Sequence, residues 1–295
     1  MKTLPRGFIP VMLTPFHDDL SVDFETLRKL CDHYIAAGAV GLFANCLSSE
    51  MYELSSEERL EVIKTVVDQT AGRVPVVATG TFQSNIEEMA SFSNQVYELG
   101  VDAVIILNNQ FVSAEESDAV FLEGVRRWME LTPGVPFGIY ECPVPYKRLV
   151  SIPVLEELLA TGRLCYHKDT SLDLAQVQAK IQAGNAYHLG VYDAYMVHAK
   201  ASLAAGSLGL SCIQGNFFPD LLAQFCAHPT NEFQAFLSDA MELMHSAYPT
   251  SAKYVLQQQG FPIRLATRRK VDPLTAPLKA KLDELLTSAS RYRSP

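Results

Sequence analysis

Short apolar runs rich in Val, Ile and Phe alternate along the chain with longer stretches in which apolar residues recur every three or four positions. The short runs predict strands at Phe8–Thr14, Val40–Asn45, Val74–Gly80, Ala103–Leu107, Phe137–Tyr140, Leu164–Lys168, Tyr187–Val191 and Gly209–Ile213. Successive strands begin between 22 and 34 residues apart, so each interval has room for a crossover helix and none is hairpin-short. Near-continuous apolar strands are what a parallel sheet covered on both faces requires.

The stretches between them carry helix start signals. Ser55 and Glu58 form a capping-box pattern ahead of Leu60, Val62, Ile63 and Val66. Ser84 precedes Ile86, Met89, Phe92 and Val96, a helical stripe that ends at Gly100. Ser113 with Glu116 opens a helix running through Trp128, and Pro153 opens one that ends near Gly162. After Pro219 the pattern is helical only, over Leu221–Ala227, Phe233–Tyr248, Ala252–Gln259 and Pro277–Ala289, with Asn231 as a cap. Eight β–α repeats without a linker predict an α/β fold of the (β/α)8 TIM-barrel type over residues 1–218, with additional C-terminal helices over 219–295 packed on it. The rival doubly wound sheet normally carries a glycine-rich turn after its first strand, and here that strand ends Leu13-Thr14-Pro15-Phe16.

Composition narrows the classes of function. With 295 residues, 48% hydrophobic and 19% charged, the chain is neither disordered nor fibrous. Twenty-four Lys and Arg against 33 Asp and Glu give a net charge of −9, without the positive field that nucleic-acid binding needs. Apolar runs such as Val104–Leu107 fall far short of the ~20 residues that span a bilayer. Pro5, Pro10 and Pro15 interrupt any apolar leader, so a cytoplasmic location is expected. The six cysteines form no C-x-x-C pair and read as buried or free thiols; a thiol catalyst at Cys46 or Cys142 has no nearby histidine to support it. No Asp, Glu and His cluster at metal-ligand spacing is visible, so neither metal nor cofactor is expected.

In a barrel the functional groups lie at the C-terminal ends of the strands. Those ends read Thr14, Asn45-Cys46-Leu47-Ser48-Ser49-Glu50, Gly80-Thr81, Asn108-Asn109, Tyr140-Glu141, Lys168-Asp169 and Asp193. Lys168 closes the run Leu164-Cys165-Tyr166-His167, where desolvation favours a neutral amine able to condense with a ketone. Tyr140 closes the preceding strand and can move protons at the same point. The plain alternatives are a solvated lysine and a packing tyrosine.

These residues bring in a family. The chain resembles the dihydrodipicolinate synthase / N-acetylneuraminate lyase family of Schiff-base aldolases from Gly7 to about Leu282. The resemblance runs through Thr14-Pro15-Phe16, Ser48-Ser49-Glu50 at the end of a G-T-T-G-E type loop, and Leu54-Ser55-Ser56-Glu57-Glu58-Arg59. It continues in Tyr140-Glu141-Cys142-Pro143, like Y-N-x-P, and in His167-Lys168-Asp169-Thr170-Ser171, like G-x-K-D-[ST]. It implies Lys168 as the lysine that binds the 2-keto group of pyruvate or a 2-keto acid, and Tyr140 as the proton relay. Ser48 is implied to orient the Tyr140 hydroxyl and touch the substrate carboxylate, which backbone N–H groups around Ser48-Ser49 can hold. A homo-oligomer, tetramer or dimer, is implied as well.

The departures matter equally. Leu47 replaces the first loop hydroxyl, and Cys46 and Ser49 replace its glycines. Asn109 stands where many members have a second tyrosine, and Pro145 where a dihydrodipicolinate synthase has its arginine, with Lys147 and Arg148 out of register. Lysine biosynthesis is therefore not expected. Gly190-Val191-Tyr192-Asp193 only approximates the sialic acid lyase loop, which leaves Asp193 and Tyr195 as specificity candidates beside Ser49 and Asn109. The leading reading is a lyase or aldolase acting on pyruvate or a small 2-keto sugar acid. A dehydratase using the same imine and a non-catalytic 2-keto-acid-binding relative are the alternatives.

Overall fold

The computed structural model describes residues 4–293. By contact the chain falls into two compact units, one of Pro75–Ser211 with the N-terminal residues up to Arg6, the other of Gly7–Val74 with Cys212–Pro295. In chain order the second of these begins with β1 (Gly7–Phe8), α1 (Phe24–Ala36), β2 (Leu42–Ala44) and α2 (Ser56–Thr70). The first follows with β3 (Val76–Thr79), α3 (Ile86–Glu98), β4 (Ala103–Leu107), α4 (Asp118–Leu131), β5 (Phe137–Tyr140), α5 (Ile152–Ala160), β6 (Leu164–Asp169), α6 (Leu174–Gly184), β7 (Gly190–Asp193), α7 (Ala199–Ala205) and β8 (Gly209–Leu210). The chain then closes with α8 (Gln214–Phe217), α9 (Pro219–Ala227), α10 (Asn231–Met244), α11 (Thr250–Gln258) and α12 (Ala276–Ala289). The alternation of strand and helix and the C-terminal helices are those the apolar pattern predicts.

Strands β3 to β8 lie side by side in chain order, all parallel. Every residue of β3, β4 and β5 is buried, as an apolar strand covered on both faces must be. The register pairs Leu107 with Tyr140 and Tyr140 with Lys168, so the last residues of β4 and β5 and the next-to-last residue of β6 stand at one level. Gly138 permits this packing: a Cβ there would lie 2.5 Å from Ile105 Cδ1 and 2.8 Å from Tyr166 Cβ.

The predicted boundaries hold at β4 and β5 and shift elsewhere. The expected Phe8–Thr14 strand shrinks to β1, because Pro10 offers no N–H to a ladder; beyond it only an isolated bridge joins Val11 to Phe43. The seventh strand slides from Tyr187–Val191 to Gly190–Asp193, since the turn after α6 takes up the residues around Tyr187. Ser55 and Glu58 do form the capping box of α2. Three other caps move: Asn85, not Ser84, accepts from Glu88 N, Ser117 opens α4 while Glu116 binds back to Ser113 N, and Thr230 replaces Asn231. The helix expected over Phe233–Tyr248 ends at Met244 and is followed by a 3-10 turn, His245–Ala247.

Candidate active site

Lys168 and Tyr140 come together. They are register partners on β6 and β5, 6% and 3% exposed, and the Lys168 ammonium nitrogen lies 4.0 Å from the centroid of the Tyr140 ring. A primary amine held dry beside a phenol is an arrangement suited to imine formation, in which one group attacks a carbonyl and the other moves the protons.

The strand that presents Lys168 is fixed from behind. Its neighbours His167 and Asp169 point to the opposite face by the period of two, and both are fully buried there with Glu141. From α6, Lys180 reaches into this group and donates to Glu141 Oε1 and Asp169 Oδ2, each at 2.6 Å. Glu141 also accepts from Val150 N and Thr170 N and lies 3.4 Å from His167 Nε2. Burial pushes the Glu141 carboxyl up, but His167 and Lys180 outweigh it and hold the group down at about 2. Burial likewise lowers the Lys180 ammonium, and Glu141 and Asp169 more than offset it, so its pKa lies above the usual lysine range. The expectation of no acidic cluster needs correcting. Glu141, His167 and Asp169 bring donor atoms within 4.8 Å of one another, across strands too far apart in sequence for any spacing motif to register. The Lys180 ammonium occupies the position between the two carboxylates that a cation would take.

Asp193 ends β7 beside Asp169 and is buried. Its Oδ1 accepts from Tyr195 N at 2.8 Å, and its Oδ2 lies 2.9 Å from His198 Nε2, a close carboxylate that holds the His198 pKa above the usual imidazole value. The half-buried Tyr195 ring stands edge-on to His198 at 5.1 Å, so these two specificity candidates form one patch. Asn109 sits in the 3-10 turn after β4, and its Nδ2 donates to the carbonyls of Cys142, Val144 and Tyr146 at 2.9, 2.9 and 2.6 Å. The side chain that replaces a tyrosine is thus a strut for the loop after β5. Lys147 donates to Thr170 O, and Arg148 pairs with Asp118 at 2.7 Å, so both cations in that loop are engaged.

In the other unit, Ser48 and Ser49 lie on a buried 3-10 turn, Leu47–Ser49. Ser49 holds the turn: its hydroxyl donates to Met12 O at 2.7 Å and accepts from Cys46 N, while its own N–H donates to Cys46 O. Glu50, at a left-handed φ of 58°, locks the turn through a buried carboxylate. It accepts from Lys253 Nζ at 3.1 Å, Thr267 Oγ1 at 2.6 Å, and Arg268 and Arg269 N at 2.7 and 2.8 Å. Ser48 takes a hydrogen bond from Tyr248 at 2.8 Å. Lys180, Lys253 and Tyr248 went unnoticed in the sequence. Lys180 alone left a signal there, a charged residue on the apolar stripe with Val177 and Ile181.

The fold is a (β/α)8 barrel: a structure described as a monomeric dihydrodipicolinate synthase variant superimposes with a TM-score of 0.88 at 17% identity, over 98% of each chain. The chain belongs to the dihydrodipicolinate synthetase family, whose pattern it matches over residues 4–289. That makes it an enzyme of carbon–carbon lyase type. It is similar to the 4-hydroxy-tetrahydrodipicolinate synthase of Haloarcula marismortui, 26% identical over 284 residues, 95% of this chain and 90% of the relative. It is also similar to YagE of Escherichia coli, provisionally named a 2-dehydro-3-deoxy-D-gluconate aldolase, 26% identical over 299 residues and 97% of each chain. The structure of YagE in complex with pyruvate has a TM-score of 0.86 at 22% identity, covering 97% of this chain and 98% of that one. Among the described residues no helix is long and apolar enough to cross a membrane.

Proposed function

We propose that the protein is a Schiff-base-forming lyase or aldolase acting on pyruvate or a small 2-keto acid, sugar acids included. The observation that carries this reading is the buried Lys168 amine beside Tyr140 on an adjacent, in-register strand. The Lys168 amine adds to the keto carbon, and the carbinolamine loses its hydroxyl as water with the proton that Tyr140 supplies, leaving the protonated imine and Tyr140 as the phenolate. The protonated imine then accepts the electron pair of the carbon–carbon bond being cleaved while the Tyr140 phenolate takes the proton of the substrate hydroxyl, leaving an aldehyde and an enamine. Protonation of the enamine and hydrolysis of the imine release pyruvate and restore the lysine. Family membership and the pyruvate complex of the related YagE support the reading.

For the other site residues the support differs. The resemblance gives Ser48 the task of orienting the Tyr140 hydroxyl and contacting the substrate carboxylate, while the turn that Ser49 braces keeps Ser48 in place. Tyr195, just past the end of β7, is proposed to read the distal part of the substrate, with Asp193 serving it by holding Tyr195 N, and Asn109 to shape the loop after β5. A homo-oligomer and a cytoplasmic location belong to the same reading. The test is pyruvate release from a panel of 2-keto-3-deoxy sugar acids, with Lys168→Ala as control. Release that the control abolishes is expected; a panel without turnover and without imine formation would refute the reading.

A further inference from the structure

At the end of β7 three side chains close on one another within a short stretch of chain, all in the unit that holds Lys168. Asp193 is the hub. One carboxylate oxygen accepts from Tyr195 N at 2.8 Å, and the other stands 2.9 Å from His198 Nε2. The Tyr195 and His198 rings meet edge-on, 5.1 Å apart and at 86°. Between them the chain passes through a 3-10 turn, Met196–His198, which the fully buried Met196 anchors in the core. One oxygen of Asp193 thus holds the backbone of Tyr195, and the other holds the residue against which the Tyr195 ring packs. Asp193 is the register partner of Asp169 and shares its face of the sheet, opposite to that of Lys168. Its service to the site runs through Tyr195.

We propose that His198 is a positioning residue: paired with Asp193, it fixes the Tyr195 ring where that ring meets the distal part of a 2-keto acid bound on Lys168. The proposal rests on the Schiff-base reading and on the task given to Tyr195 above. A tyrosine on a loop end would otherwise sample several rotamers, and holding it in one removes an ordering cost from the binding of a long substrate. The clamp is also charged. Asp193 on β7, with Asp169 on β6 and Asp173 at the cap of α6, raises the His198 pKa above the usual value of 6.5 although burial works the other way. The imidazolium–carboxylate pair is therefore complete below pH 6.5 and is lost as pH rises through the raised value.

The test follows cyanoborohydride labelling of Lys168 in the full-length protein against concentration, for pyruvate and for six-carbon 2-keto-3-deoxy-D-gluconate. His198→Ala should raise half-saturation about fivefold for the six-carbon acid, the scale of one lost aromatic contact, and less than about twofold for pyruvate, which has no distal part. In the wild type the preference for the six-carbon acid should be greatest at pH 6 and smaller at pH 8.5. His198→Gln, whose amide can still donate to Asp193 but carries no charge, should keep part of the preference and lose its pH dependence; if His198→Ala does not fold, this variant and the wild-type pH dependence decide. Tyr195→Ala is the reference and should weaken the six-carbon acid at least as much as His198→Ala. If Tyr195→Ala weakens it and the His198 variants do not, if they weaken both acids alike, or if the wild-type preference ignores pH, this proposal alone is overturned. If Tyr195→Ala changes nothing, the task given to Tyr195 falls and the proposal with it, and a wild type that traps neither acid would overturn the Schiff-base reading itself.

Discussion

Replacing Lys180 with methionine tests how the strand behind the reactive lysine is held. Lys180→Met keeps most of the side-chain length and removes the ammonium that Glu141 and Asp169 share at 2.6 Å each, in a place where all three residues are fully buried. Glu141 would keep Val150 N and Thr170 N, and Asp169 would keep Ser171, but two carboxylates would be left buried with no full counter-charge. Breaking a buried ion pair from one side costs about 3–5 kcal/mol. At about 2.1 cal/mol/K of unfolding entropy per residue, 295 residues give about 0.6 kcal/mol/K, so the melting temperature should fall by about 5–8 °C. The pH dependence adds a second criterion. A carboxyl held down at about 2 stabilises the fold fully above its unfolded value of 4.5, and that stability is lost as pH falls toward 2. Lys180→Met lacks the part of this contribution that the ammonium supplies beside His167, so its deficit should be largest at neutral pH and shrink below 4.5. The assay is thermal unfolding followed by circular dichroism at pH 7 and pH 3. A loss below about 2 °C at pH 7, or an equal loss at both pH values, would refute the reasoning.

Tyr140→Phe should leave the fold intact, lower turnover by roughly 10²–10⁴-fold and slow trapping on Lys168, read from initial rates; near-wild-type turnover would reduce Tyr140 to packing. Gly138→Ala forces a methyl against Ile105 Cδ1 and Tyr166 Cβ, the latter held close to the backbone, and should destabilise by about 1–3 kcal/mol in urea unfolding. Chelators should leave activity unchanged, because the protonated imine is itself the electron sink; loss in chelator that a divalent ion restores would count against the mechanism.

The sequence carried the fold where burial is continuous. Ala103–Leu107 and Phe137–Tyr140 match β4 and β5 residue for residue because each is apolar throughout and covered on both faces. It misled where composition and hydrogen bonding part company: Phe8–Thr14 is apolar enough for a strand, yet Pro10 cannot join a ladder, and the charged Asp193 belongs to β7 because its backbone pairs with Asp169 and Leu210. Lys168 and Tyr140 were legible because Tyr140 ends β5 and Lys168 stands one residue before the end of β6. The groups that brace the candidate residues within each unit were less so. Lys180 showed only as a charge on an apolar helix face, and Tyr248 meets Ser48 across 200 residues of chain, a pairing that no local pattern encodes.

The central claim is that Lys168 carries the imine, and one measurement addresses it directly. The protein is incubated with pyruvate and borohydride, digested, and the modified peptide located by mass spectrometry, in parallel with Lys168→Ala. The account predicts a reduced pyruvate adduct on the peptide containing Lys168, and none anywhere in the variant. An adduct on another lysine, or labelling that survives Lys168→Ala undiminished, would contradict it.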